Sequence, residues 1–354
     1  MTFLIQTETY LQDEIAPQAM QIDQSAESLF QALHQLGHRK WLGLRVPQEW
    51  GGHDLDELTF RQFQEQVSRY SGALAFLQTQ HQSAAALIAR SPNTALKEKY
   101  LPYLSSGKVL IGIGFSHLRR QNPPPVQAVP TESGYEITGE VPWVTGQGCF
   151  QHFILGAQLA DGRAIFGLVP LATVSQPAAG LIGCSPPLSL ASMGSTRTVK
   201  VRLNRWQLPQ EAVVVIRPPG WIHTNDQKNS LHHSFFALGC AQAGLDILAS
   251  GKRPDFVHST RQALDRELQS CRQAIYQEQQ SPELALPKRL GLRAWAIELA
   301  NRCAHAAVIS GRGGANLLDH PAQRVYREAL AFSVFGQTTD VMEASLARLK
   351  AGER

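Results

Sequence analysis

LKEKYLPYLSSGKVLIGIGFS, residues 96–116, is where the chain changes character. Up to Leu104 its apolar residues recur at helical spacing, and Gly107 marks the stop. From Val109 a short unbroken apolar run takes over, the pattern of a buried strand. Upstream, everything reads as helix. LFQALHQLG (29–37) repeats apolar residues at helix spacing and ends at Gly37. LRVPQEWGGHDLD (44–56) is a loop rich in breakers, and Asp56 or Thr59 starts a helix through FRQFQEQVSRY. ALAFLQTQHQSAAALIAR (73–90) reads as a buried helix, and Asn93 caps the helix that the quoted stretch completes.

Downstream of Val109 the period is two. GYEITGEVPWV, FILGAQLA, AIFGLVP, TVKVRLNRWQLP and EAVVVI are separated by NPPP, ADGR, QPAAG and CSPP. Short strands with such turns predict an antiparallel barrel or sandwich. Helix returns after RPPGW (217–221), where Thr224 or Asn225 is expected to cap one long helix to about Ala249. Ser259 is expected to cap a second helix to about Gln279, and Pro287 to open a third to about Ser310. QRVYREALAFSVF and TTDVMEASLARL finish the chain. The expected fold class is α+β and multi-domain: a helical domain over 1–108, a β domain over 109–217 and a helical bundle over 218–354.

Composition sets the bounds. The 354 residues are 43% hydrophobic and 18% charged, ordinary values for a globular protein with a large core. A net charge of +4 without a dense Lys/Arg run speaks against nucleic acid as a main partner. The five cysteines (149, 184, 240, 271, 303) have neither disulfide nor metal-ligand spacing, so a reducing compartment and no structural metal are expected. No basic flank precedes an apolar run at the N-terminus, and no apolar stretch is long enough to span a membrane. A cytoplasmic location is the expectation.

PWVTGQG (142–148) ends the longest alternating run. Pro142 cannot donate to a sheet ladder, and Gly146 and Gly148 permit a tight bend. Between them stand a broad aromatic face, Trp143, and a hydroxyl, Thr145. A flat partner suits that pair, and so does an ordinary strand corner that packs a Trp.

Taken in order, these stretches resemble the acyl-CoA dehydrogenase family of flavoproteins. LGLRVPQEWGGHDLD is similar to the family's Val-Pro and Gly-Gly loop, and the quoted stretch to its last N-terminal helix entering the first strand. ITGEVPWVTGQG resembles its Trp-(Ile/Val)-Thr segment, and SMGSTRTVKVRLNRWQLPQEAVV its strand pair. FFALGCAQAGLDIL resembles the first helix of its C-terminal bundle, and HPAQRVYREA the run before its catalytic loop. The resemblance covers nearly the whole chain. It implies FAD, or FMN in its place, with Trp143 on one ring face and the Thr145 hydroxyl near the reactive nitrogen. It also implies contacts from Ser116 and Thr338.

The pattern breaks at the base. The family's reaction removes an α-proton from an acyl thioester, and most members carry the Glu for it in a loop near the C-terminus. Here that loop is SVFGQTTDV (333–341), with Gly336 where Glu is expected and Gln337 where Gly is expected. Asn229, counted as the alternative site on the first bundle helix, is no base either. The stretch that reaches a neighbouring subunit's FAD is reduced to GKRPDF (251–256). His117 and Asp226 are the candidates for a displaced base. Arg119, Arg120, His233 and Phe236 are candidates for substrate contacts.

Three functions remain in view: a divergent acyl-CoA dehydrogenase-like flavin oxidoreductase, a non-catalytic scaffold or partner subunit, and a flavin-dependent monooxygenase fed with reduced flavin. The resemblance implies a homodimer or homotetramer, an acyl-CoA substrate, and an electron-transfer partner or flavin reductase.

Overall fold

The computed structural model describes residues 2–120, 123–177 and 180–351. The expected turns NPPP and QPAAG lie partly outside them. The N-terminal segment holds α1 (Phe3–Tyr10), α2 (Ala19–Gln24), α3 (Ala26–His38), α4 (Glu57–Tyr70), α5 (Gly72–Ala89) and α6 (Thr94–Leu104). The starts are capped by the residue types that favour it. Asp56 accepts from the Thr59 amide, Ser71 from Leu74 and Asn93 from Leu96.

The helix-to-strand switch is fastened by one side chain. His81 of buried α5 accepts a hydrogen bond from the Ile111 amide at Nδ1, 3.1 Å. Its Nε2 meets the Leu104 carbonyl, also at 3.1 Å, so that nitrogen carries the proton. The last residue of α6 and the first of the sheet are thereby satisfied by the same ring.

The strands are β1 (Ile111–Gly114), β2 (Val126–Thr131), β3 (Gly134–Val144), β4 (His152–Gln158), β5 (Ala164–Pro170), β6 (Val174–Ser175), β7 (Leu181–Cys184), β8 (Val199–Pro209) and β9 (Val213–Arg217). They form one nine-stranded sheet in the order β6-β7-β8-β3-β2-β4-β5-β9, with β1 on β4. Most pairs are antiparallel, as expected. The sheet is nonetheless mixed, because β4 runs parallel to both β1 and β2. A tight turn forces antiparallel pairing, and β1 enters from a helix without one. β8 alternates like a half-covered strand, burying Val199, Val201 and Leu203, shifts phase at a bulge over 204–205, and resumes with Trp206 and Leu208 buried.

The C-terminal segment holds α7 (Trp221–Lys228), α8 (Ser234–Ala249), α9 (Asp255–Gln280), α10 (Leu286–Gly311), α11 (Pro321–Val334) and α12 (Thr339–Ala351). Two expectations need correcting. α9 starts at Asp255 directly after Pro254, not at Ser259. The single helix expected from Thr224 to Ala249 is two helices, broken over 229–233. Asn229 and Ser230 favour such a break. The Ser230 carbonyl, moreover, accepts from the buried Arg293 guanidinium at 3.2 Å rather than from a later turn.

α8 is the spine of the bundle. A Cβ on Gly239 would lie 2.2 Å from the Glu65 carbonyl of α4, and one on Gly244 2.7 Å from the Cys303 backbone of α10. Those two glycines let three helices approach at backbone contact. One continuous apolar cluster joins the three segments, taking in Phe63, Val144, Phe235 and Phe332.

Candidate functional site

The site is built where α5, the end of β3 and the broken α7–α8 segment meet. Gly114 ends β1 beside Val144: a Cβ there would be 3.0 Å from Val144 Cγ2. Ser116 follows just beyond β1, in the short turn Ser116–Arg119 that contacts β3. Ser116 is exposed, and Trp143 is 49% exposed, an aromatic face with no cover. Thr145 is buried, with Oγ1 3.0 Å from Thr198 Oγ1. Thr198 in turn lies 3.2 Å from Thr196, whose hydroxyl donates to the Met193 carbonyl at 2.7 Å.

The Met193 turn leans on the start of α5. A Cβ on Gly72 would be 3.0 Å from Met193 Cε and 2.7 Å from Glu328 Cδ. One turn further along α5, Phe76 lies 4.3 Å, centroid to centroid, from Phe335. Phe335 and Gly336 are held by Arg293, whose guanidinium donates to their carbonyls at 2.7 and 3.0 Å. Burial without a directly bonded carboxylate pushes Arg293 down to about 10, Asp226 opposing the shift.

Gly336 takes φ +56°, and a Cβ added to it would fall 2.5 Å from the His233 ring. The imidazole therefore stands in the space that a side chain at 336 would need. His233 lies in the break before α8 and makes no hydrogen bond within the described structure. Burial, then Arg293, Arg119 and Arg61, hold it well below the usual histidine range, so it is neutral at neutral pH.

The other expected site residues separate into two groups. Arg119 and Asp226 are brought together, but with each other: two bonds at 2.6 and 2.7 Å join guanidinium to carboxylate. Both Asp226 oxygens are committed, which removes it as a free base, and Arg119 is not a free fork for a substrate. His117 turns inward, buried, with Nε2 2.8 Å from the Gly156 carbonyl. That carbonyl requires Nε2 to carry the proton, and burial pushes the ring down to about 4. This geometry does not offer His117 to a substrate. Arg120 is exposed. Phe236 is buried and stacks on Phe332 at 5.6 Å, so it is core beneath His233 rather than a contact surface. The Thr338 hydroxyl accepts from the Val341 amide at 3.3 Å and caps α12. Asn229 donates to Asn225 at 3.0 Å.

Sequence reasoning missed Arg293, Phe76 and the Thr196–Thr198 pair. The threonines left a signal, because they lie in the same quoted stretch as the strand they precede. Arg293 left none: it is one Arg among many in a long helix.

Residues 2–108 match the family described as acyl-CoA dehydrogenase, N-terminal domain. The fold is that of the acyl-CoA dehydrogenases. Isovaleryl-CoA dehydrogenase of Bos taurus is 38% identical over 110 residues, 30% of this chain and 26% of its own, so that match spans about a quarter of the relative. A probable acyl-CoA dehydrogenase of Bacillus subtilis is 23% identical across 96% of this chain and 94% of its own. The glutaryl-CoA dehydrogenase of Mycobacterium smegmatis in complex with FADH2 superposes with a TM-score of 0.82. It covers 98% of this chain and 93% of its own at 14% identity.

The ring side of the corner fits a flavin. An uncovered indole face and a buried hydroxyl, two residues apart, offer the flat surface and the polar atom that a planar heterocycle with polar edges needs. The stretch expected to reach a partner's cofactor is an exposed turn whose Arg253 is spent on the Ser250 and Ser310 carbonyls. Among the described residues no helix is long and apolar enough to cross a membrane, and no cluster of three or more His, Cys, Asp or Glu could hold a metal.

Proposed function

We propose that this chain is a flavin-dependent oxidoreductase acting on an acyl thioester, with His233 as the proton acceptor in place of a loop glutamate. The observation that carries the reading is the exchange of volume at 336: the loop side chain is absent, and a neutral imidazole with no protein hydrogen bond fills its room.

A bound flavin would supply the hydride acceptor. The chain's own part is to place and deprotonate. Trp143 would hold the ring with its indole face, and Thr145 would offer it a hydroxyl. Arg293 fixes the Phe335–Gly336 backbone opposite. A ring nitrogen of His233 takes the α-proton, and the C–H electron pair stays with the thioester as an enolate. The cationic surroundings of His233 favour that developing negative charge.

An oligomer is part of the proposal. Tyr326, Leu330 and Val334 are exposed at four-residue spacing along α11, and Met342, Leu346 and Leu349 are exposed on α12. Such apolar faces favour a second copy over water.

The test is a visible absorbance spectrum of the purified protein before and after adding an acyl-CoA. A stoichiometric flavin band that bleaches supports the reading. A protein that takes up neither FAD nor FMN, oxidised or reduced, sinks it and leaves the scaffold.

A further inference from the structure

The hydroxyl chain behind Thr145 runs one way. The Met193 carbonyl can only accept, so the single Thr196 proton is committed to it at 2.7 Å. Thr196 Oγ1 has only lone pairs left for Thr198, which must therefore donate across the 3.2 Å contact. Thr198 has then spent its proton, and Thr145 must donate to it across 3.0 Å. All three threonines are buried. The anchor is rigid as well: Met193 is buried at φ +58°, and the Thr196 amide donates to the same carbonyl. Thr145 is left with lone pairs alone for whatever lies against it.

We infer that Thr145 is a hydrogen-bond acceptor toward the cofactor, and that this polarity makes the site select flavin in its reduced state. The inference rests on the proposed flavin reading, with Thr145 at the ring's reactive nitrogen. That nitrogen is an acceptor in the oxidised ring and bears a hydrogen in the reduced ring. Two lone pairs facing each other forfeit a bond, whereas N–H against a lone pair makes one. The residues responsible lie two shells deep, in Thr196 and Thr198, and the ligand touches only the last member of the chain.

The test is anaerobic titration of the apoprotein with oxidised and with dithionite-reduced FAD and FMN, followed by protein and flavin fluorescence. Reduced flavin is expected to bind about fivefold more tightly, the worth of one net hydrogen bond. Thr198→Val keeps the shape and removes the acceptor. It frees the Thr145 proton, so the preference is expected to shrink or invert. Thr145→Val is expected to abolish it. Equal or tighter binding of oxidised flavin by the native protein overturns the inference while leaving the flavin reading intact. A preference unchanged in Thr198→Val overturns it as well. No binding of either redox form overturns the flavin reading itself, and the inference with it.

Discussion

The two walls of the corner treat their histidines in opposite ways. On the sheet side His81 and His117 are wired: each has a ring nitrogen committed to a backbone carbonyl, and His81 also accepts from an amide. On the helical side His233 is unwired, pressed against Gly336 and ringed by arginines. All three are held neutral by burial. His81 has both ring nitrogens bonded, His117 has Nε2 bonded and Nδ1 buried without a partner, and His233 has neither bonded. The proposed function divides along the same line. It puts the cofactor on the sheet side, at Trp143 and Thr145, and the proton acceptor on the helical side, where the His233 ring fills the room beside Gly336. A histidine with both nitrogens committed serves the fold, and one left without partners is available for chemistry.

The comparison breaks most visibly at Gly336. Gly336→Glu puts a Cβ 2.5 Å from the His233 ring and a non-glycine residue at φ +56°. Strain and overpacking together should cost about 4 kcal/mol in urea unfolding. Adding His233→Ala should return about half of that, since the ring is removed and the backbone strain stays. Full stability of the single variant would mean the two positions do not share one volume.

On the sheet side the probe is pH. His81 is held at about 4 by burial against an ordinary 6.5. The unfolded chain therefore takes up the proton first. The His81 contribution is complete above pH 6.5, is lost as pH falls, and is constant again below about 4. The slope is about 1.4 kcal/mol per pH unit, roughly 3 kcal/mol over the window. Stability of native and His81→Asn proteins, measured from pH 4 to 8, should converge toward the acid end by that amount. Parallel curves would show that His81 is not held neutral.

The sequence carried the three-part architecture, because helical and strand periods depend on local burial alone. It singled out Trp143 and Thr145 for a related reason: both stand at the end of the strand that closes at Val144. It missed the break at 229–233, where apolar spacing continues through Leu231 into α8 as if nothing intervened. What breaks the helix is Arg293, more than sixty residues away, capturing the Ser230 carbonyl. His233 was visible as a histidine near a site, yet its place against Gly336 is a tertiary fact. His117 and Asp226 were reasonable bases by residue type. Their partners, the Gly156 carbonyl and Arg119, lie on other elements and leave no mark in local sequence.

Arg293 is therefore the smallest lever that still tells the walls apart. Arg293→Met removes donors from Ser230, Phe335 and Gly336 at once, but also removes a buried cation without a directly bonded carboxylate. Each uncapped carbonyl costs free energy, and the lost desolvation penalty offsets part of it. A net loss of about 2 kcal/mol is expected. The sharper readout is where the loss appears. Amide exchange should quicken over 229–233 and 335–338, and stay slow in β3 and around the Ile111 amide that His81 holds. Uniform quickening across both walls would mean that Arg293 supports the whole bundle rather than the loop and break that bring His233 to Gly336.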